Sequence, residues 1–122
     1  MGATVVARLY GVVFIGLGLL GFFVREAFGM HFDLVHNLVH LIVGTLAISS
    51  VMSGEASVRQ FLRITGVFFG LLAAIGFVNP GFFGVMHVEM TENILHLALA
   101  AVGLWFGYRD RLTRSGKLSK TT

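Results

Sequence analysis

The chain has 122 residues, of which 56% are hydrophobic and only 12% are charged, and its mean hydropathy is +0.85. Soluble domains carry about 25% charged residues, so this composition excludes a soluble globular domain and predicts a membrane protein. The length suits a single domain. Cysteine is absent, which excludes disulfides, Fe–S clusters and thiolate metal sites.

Four apolar stretches of helical length follow one another along the chain. They cover residues 5–24, 33–51, 60–78 and 91–108. Each is close to the roughly 20 residues that a helix needs to cross a bilayer core, and their apolar residues are continuous rather than alternating, which disfavours strands. Asp33 and Thr91 are predicted to be helix N-caps. The sequence therefore predicts an all-α membrane fold with four transmembrane helices.

Basic residues are distributed unevenly between the two sides of such a bundle. Arg25 lies on one side, and the other eight of the nine Lys and Arg residues lie on the opposite side. These eight are Arg8, Arg59, Arg63, Arg109, Arg111, Arg114, Lys117 and Lys120. Cytoplasmic loops carry this excess, so both termini are predicted to be cytoplasmic. The net charge of +3 then reflects topology, and nucleic acid is not an expected partner.

The second half of the chain repeats the first at an offset of 55–56 residues. Matching pairs are Gly11 and Gly66, Phe14 and Phe69, Gly21 and Gly76, Asn37 and Asn93, and His40 and His96. Each repeat unit, 8–52 and 60–108, holds two spans, so both units have the same orientation and their symmetry axis is predicted to lie along the membrane normal. The prediction is a single domain over residues 1–108, an up-down-up-down bundle with a pseudo-twofold axis. A basic, disordered cytoplasmic tail is predicted to follow over 109–122.

Small and polar residues at helical spacing predict the inward faces of the bundle. Residues three and four positions apart share one face of a helix, and small residues let helices approach closely in lipid. The four predicted inward stripes are Gly11, Phe14, Gly18, Gly21; Asn37, His40, Gly44, Ala47; Gly66, Phe69, Ala73, Gly76; and Asn93, His96, Ala100, Gly103. Gly66, Gly70 and Ala74 form a second small face, which would serve packing within the bundle or against another protein.

With these motifs, the chain resembles an uncharacterised bacterial membrane protein family, domain of unknown function 4383, over about residues 8–108. The resemblance rests on the Gly-rich first span and on three short motifs. These are His36-Asn37-Leu38-Val39-His40-Leu41 followed by Gly44, Arg59-x-Phe61-x-Arg63, and Asn93-x-Leu95-His96-Leu97. The resemblance implies a four-span membrane protein and implies no activity.

Two imidazole and amide pairs occupy corresponding depths of the second and fourth stretches. His40 lies about seven residues inside its predicted helix, or roughly 10 Å from its start at 1.5 Å per residue, and His96 is at a matching depth. A polar group in hydrocarbon without a partner is costly, so both are predicted to face inward. The first interpretation is a structural clasp, in which these side chains hydrogen-bond across the two hairpins. Its residues are Asn37, His40, Asn93 and His96.

A second interpretation is a tetrapyrrole site at His40 and His96. Two imidazoles from facing helices could ligate one haem iron, or one of them could ligate the magnesium of a chlorophyll. Asn37 and Asn93 would then be structural partners of these ligands. Aromatic rings predicted for the same interior would compete for the space.

A third interpretation is a divalent-metal site at the outer mouth of the bundle. Imidazole and carboxylate ligands suit zinc, copper or nickel. The candidates are His31, Asp33, His36, His87, Glu89 and Glu92. The competing structural interpretation treats the two loop histidines as interfacial residues, and Asp33 and Glu89 as markers of helix starts.

Enzyme chemistry has little support in the sequence. It contains no Ser/His/Asp set and no nucleotide-binding glycine loop, and its glycines lie in apolar helices, where packing explains them. We therefore predict a small non-enzymatic integral membrane protein that acts as an accessory or scaffolding subunit of a larger membrane complex. Its expected partners are lipid and other membrane proteins, or further copies of itself.

Overall fold

The computed structural model describes residues 2–27, 30–79, 81, 84 and 89–121, and the side chains at 27, 30, 31 and 110–121 lie outside this description. The described residues form four helices and one short antiparallel hairpin of two strands. In chain order these are α1 (Ala3–Leu20), β1 (Glu26–Ala27), β2 (Met30–His31), α2 (Leu34–Met52), α3 (Glu55–Val78) and α4 (Met90–Thr121). The prediction of four helices is confirmed.

Three of the helices, α1, α2 and α3, are long and apolar enough to cross a membrane. The fourth, α4, is less apolar over its length because it continues into the basic segment after Tyr108. The sequence predicted that the last span ends at residue 108 and that a disordered tail follows. The helix instead runs on to Thr121, through a segment rich in Arg, Lys and Leu, which are good helix formers.

The helix boundaries have local causes in the sequence. The Asp33 carboxylate accepts a hydrogen bond from the backbone N–H of His36 at 2.8 Å, which confirms Asp33 as the N-cap of α2. Between α2 and α3 the turn is only two residues long, because Gly54 adopts a φ of 105° that side-chain-bearing residues rarely take. Thr91 is not an N-cap as predicted: α4 begins one residue earlier, and Thr91 lies in its first turn.

Each pair of consecutive long helices packs as an antiparallel hairpin, α1 on α2 and α3 on α4. In the first hairpin Ile48 lies against Gly11, and Leu41 lies against Gly18. The order along α2 is thus reversed relative to α1. Leu104 lies against Gly66 in the second hairpin, at the position that corresponds to Ile48. The two hairpins therefore use the same contact at equivalent positions.

The two hairpins meet around a pseudo-twofold axis, as the repeat predicted. Phe14 and Phe69 are equivalent residues, and their rings stack on each other with centroids 5.3 Å apart and planes 10° apart. Equivalent residues touch each other in this way only near a twofold axis. All four predicted inward stripes are buried. The second small face also packs inside the bundle, since Gly66 and Gly70 face α4, whereas Ala74 is exposed.

A hydrogen bond between α1 and α4 ties the two hairpins together. The Tyr10 hydroxyl donates to the backbone carbonyl of Leu99 at 2.7 Å. Thr65 occupies the equivalent position in α3, but its hydroxyl donates to the carbonyl of Phe61 within its own helix, also at 2.7 Å. The repeat is therefore asymmetric at this point, and only Tyr10 of this pair links the two hairpins by a hydrogen bond.

We expect Tyr10→Phe to lower the free energy of unfolding by about 0.6 kcal/mol and by at most about 1.7 kcal/mol, the mean and the maximum measured for interhelical hydrogen bonds in a membrane protein. Thr65→Val is the matched control, because it removes a bond within one helix and should cost less. Far-UV circular dichroism during unfolding by SDS in mixed micelles measures both. Equal losses in the two variants would contradict a linking role for Tyr10.

Candidate functional site

Six polar side chains lie buried in the first two turns of α2 and α4. They are His36, Asn37, His40, Glu92, Asn93 and His96, each at most 5% exposed, and together we call them the polar cluster. His40 and His96 are each the seventh residue of their helix, so the predicted equal depth is confirmed. Buried polar groups inside an apolar bundle are costly unless they have partners, so their contacts decide what the cluster does.

The two asparagines do not reach across the seam between the hairpins. The Asn37 side-chain oxygen lies against Gly21, which is the C-cap of α1, and the Asn93 side-chain oxygen lies against Gly76 of α3. Neither oxygen has a hydrogen-bond partner among the described residues. The predicted clasp is therefore wrong in its asparagine part, because each amide fills the notch that a glycine leaves in its own hairpin.

The two deeper imidazoles, His40 and His96, contact the central aromatic pair. The His40 ring lies 5.4 Å from the Phe14 ring, and the His96 ring lies 5.5 Å from the Phe69 ring. The Nδ1 atoms of both histidines are buried and have no hydrogen-bond partner among the described residues. No direct His40–His96 hydrogen bond is present there, so the predicted imidazole clasp is not formed, because both rings pack on phenylalanine instead.

The polar contact across the seam is made by His36 and Glu92. Nδ1 of His36 lies 3.8 Å from Oε1 of Glu92, and the side chains are 4% and 1% exposed. These two residues occupy equivalent positions of the repeat, 56 residues apart. An acid and a base thus face each other where strict symmetry would place two identical residues, and the His36 ring also lies 4.2 Å from the His40 ring.

The polar cluster borders a cavity of about 140 Å³ between α1, α2 and α4, which we call the α1/α4 cavity. Its polar wall is formed by His36, His40, Glu92 and His96, and its apolar wall by Val13, Phe14, Leu17, Leu95 and Leu99. Val13 and Leu95 are also 52% and 44% exposed on the outside of the bundle. The cavity therefore reaches the outer surface between α1 and α4.

The size of this interior does not fit a tetrapyrrole held by His40 and His96. Sites for small molecules and cofactors enclose about 300–1,000 Å³, at least about twice the volume of the α1/α4 cavity. Stacked Phe14 and Phe69 rings occupy the centre of the bundle and contact both imidazoles. A macrocycle would have to displace this aromatic pair.

The six predicted metal ligands do not share one location in the part that the structure describes. Asp33 caps α2, and the backbone carbonyl of Glu89 accepts the N–H of Asn93 at the start of α4. His36 and Glu92 lie inside the bundle rather than at its mouth. His87 and the His31 side chain lie outside the described residues. No three described His, Asp or Glu residues are arranged to hold a metal ion, and the metal site stays a prediction.

Sequence reasoning missed the pairing of His36 with Glu92. The repeat contained a usable signal, because the 56-residue offset that aligns Asn37 with Asn93 also aligns His36 with Glu92. Equivalent residues that face a twofold axis lie close to each other. The apolar cavity wall had no comparable signal, since its leucines resemble those that face outward.

Comparisons with known proteins identify a family for almost the whole chain. The family model described as Domain of unknown function (DUF4383) matches residues 4–109. No curated protein and no solved structure matches the chain.

Proposed function

This chain belongs to the DUF4383 family, and we propose that it is a non-enzymatic integral membrane protein that serves as an accessory or scaffolding subunit of a larger membrane assembly. The observation that carries the proposal is the apolar outer surface of the bundle. Large apolar side chains are exposed on every helix, for example Leu9, Ile42, Leu71 and Leu97. A soluble partner has little to bind on such a surface, whereas lipid and other transmembrane helices fit it.

The polar cluster supports a scaffolding role in this proposal. It lies where the two hairpins meet and contributes the His36–Glu92 contact across the seam. Polar side chains that contact each other across transmembrane helices contribute to helix association in addition to packing. The cluster would thus keep the outer faces of the two hairpins in a fixed relation, which a scaffold needs.

Photocrosslinking from the outer faces tests the proposal. A benzoylphenylalanine placed at Ile42, Leu71 or Leu97, one at a time, samples α2, α3 and α4 in native membranes, and each position is more than half exposed. We expect one face to give a discrete adduct with a second polypeptide and the others to give mainly lipid adducts. Lipid adducts alone from all three faces would refute an accessory role.

We also propose that α4 is a fourth span and that both termini are cytoplasmic. The four helices alternate in direction, and eight of the nine basic residues lie on the side of the termini. Cytoplasmic segments of membrane proteins carry this excess. The membrane would be a bacterial inner membrane or another energy-transducing membrane.

Cysteine labelling in intact cells tests this topology cleanly, because the chain has no cysteine of its own. Glu26 and Ser53 are exposed residues at opposite ends of the bundle. We expect a membrane-impermeant maleimide to label Glu26→Cys in intact cells and to label Ser53→Cys only after the cells are lysed. The opposite pattern would mean that the orientation is inverted.

A further inference from the structure

The α1/α4 cavity combines an apolar wall with polar side chains. Val13, Phe14 and Leu17 of α1 line it together with imidazoles of α2 and α4. We propose that this cavity binds the ring of a membrane-soluble phenol or quinol, whose hydroxyl group hydrogen-bonds to His40 and His96. This binding site goes beyond the scaffolding role and does not depend on it.

The first argument concerns the hydrogen bonding of these polar side chains. Nδ1 of His40 and Nδ1 of His96 are both buried and have no partner among the described residues. A buried polar atom left without a partner is costly, so an occupant that satisfies these two atoms gains affinity by doing so. The residues are 4% and 5% exposed, which means that bulk water does not satisfy them.

The second argument concerns the chemistry of the occupant's polar group. A neutral imidazole carries one N–H donor and one acceptor nitrogen, and which nitrogen holds the proton varies. A hydroxyl group has one donor and two acceptor lone pairs, so it can serve both imidazoles whenever at least one of the two Nδ1 atoms carries the proton. A carbonyl or an ether can only accept, and an ammonium group can only donate.

The third argument concerns size and the apolar wall. The cavity encloses about 140 Å³, and a cavity of about 150 Å³ lined by Leu, Ile and Phe holds one benzene molecule. Phe14 and two leucines of α4, Leu95 and Leu99, line it. A single aromatic ring therefore fits, whereas water alone would satisfy the histidines but leave the apolar wall without a matching occupant.

The fourth argument is the route of entry. Val13 and Leu95 line the cavity and are also exposed on the outside of the bundle. α1 packs mainly on α2, and α4 mainly on α3, so the mouth lies at a loosely packed junction between the two hairpins. This mouth faces the acyl chains if the bundle spans a membrane, and a ring carrying an apolar tail could enter with the tail left outside.

Fluorine NMR of the purified protein in nanodiscs tests the proposal, with empty nanodiscs subtracted. The probe is 4-fluorophenol, and fluorobenzene is the matched probe without a hydroxyl group. We expect saturable binding of 4-fluorophenol and about tenfold weaker binding of fluorobenzene, the change that one missing hydrogen bond produces. Equal binding of the two probes, or no saturable binding, would overturn the proposal.

Substitution at the mouth locates the site without disturbing the interior. Val13→Trp would fill the mouth, whereas Val12→Trp places the same side chain on the same helix at a position that is 67% exposed and does not line the cavity. We expect Val13→Trp to abolish binding of 4-fluorophenol and Val12→Trp to retain it. Equal binding by both folded variants would show that the probe binds elsewhere, and the site would be refuted.

A competition experiment separates the two sources of the ring. Displacement of 4-fluorophenol by decylhydroquinone would assign the site to tail-bearing quinols of the membrane. Displacement by phenol but not by decylhydroquinone would assign it to free phenols. Displacement by neither compound would overturn the proposal, because the bound probe would not occupy a site that recognises this chemistry.

Discussion

Gly103→Ala is expected to lower the free energy of unfolding by about 1–3 kcal/mol, the usual cost of overpacking a close contact. A Cβ atom at Gly103 of α4 would lie 2.9 Å from the backbone carbonyl oxygen of Leu62 and 3.3 Å from Cα of Gly66. Backbone atoms cannot rotate away as a side chain does. The variant can accommodate the methyl group only by separating α3 from α4, which weakens packing along the whole hairpin.

Gly70→Ala is the matched control on the same interface. Its new Cβ would lie 3.7 Å from Cβ of Ala100, an ordinary contact. Replacing a glycine inside a helix by alanine otherwise stabilises by roughly 0.5–1 kcal/mol, so this variant should be neutral or more stable. We expect the SDS unfolding midpoint to fall for Gly103→Ala and to stay unchanged or rise for Gly70→Ala, and shifts of the same sign and size would contradict this.

The first hairpin offers a second, independent pair of glycine-to-alanine variants. A Cβ at Gly44 would lie 2.8 Å from the backbone nitrogen of Ile15 and 3.1 Å from the carbonyl oxygen of Gly11, whereas a Cβ at Gly16 would meet nothing within 4 Å. We expect Gly44→Ala to destabilise and Gly16→Ala not to. At the 56-residue offset Gly44 of α2 corresponds to Ala100 of α4, whereas the glycine in closest contact on α4 is Gly103. The closest approach of the two helices is therefore displaced by about one helical turn between the hairpins.

The architecture could be predicted because its determinants are local and repeated. Continuous apolar stretches fix the helices, and the glycines that allow close packing lie at the same positions of both units, as Gly11 and Gly66 do. Asp33 capped α2 as predicted because capping needs only three neighbouring residues. The prediction that Thr91 is an N-cap was wrong, because threonine also occurs inside the first turn of a helix, where Thr91 lies.

The contacts within the polar cluster were predicted less well than the helices, because each polar side chain has more than one neighbour within reach. Asn37 and Asn93 were expected to meet across the seam, but a glycine in each hairpin, Gly21 and Gly76, leaves a nearer notch. The matched spacing of these residues in both units was visible in the sequence. The spacing could not predict whether each asparagine would contact the other asparagine across the seam or the glycine of its own hairpin.

His36 and Glu92 are expected to be the most sensitive polar pair in the protein. They face each other at 3.8 Å across the pseudo-twofold axis, and they occupy equivalent positions. Two identical hairpins assembled as a symmetric dimer would place His against His or Glu against Glu at this point. Joining the hairpins in one chain allows the two positions to differ, and an acid can then face a base.

His36→Glu should therefore be the most damaging single substitution, because it places two carboxylates together in a site that is closed to water. Breaking a buried pair costs about 3–5 kcal/mol, and like charges add repulsion. Glu92→His should cost less, since two neutral imidazoles can share a site. The SDS unfolding midpoints, measured in the same mixed micelles, should follow this order.

The double variant His36→Glu/Glu92→His distinguishes pairing from mere size or polarity. It restores an acid opposite a base with the two helices exchanged, and the pseudo-twofold axis makes the exchanged geometry nearly equivalent. We expect it to recover most of the stability that His36→Glu loses, which a double-mutant cycle reports as a large favourable interaction energy. If the losses of the two single variants simply add, the residues do not stabilise the seam as a pair, and packing and the Tyr10 hydrogen bond are the contacts to test next.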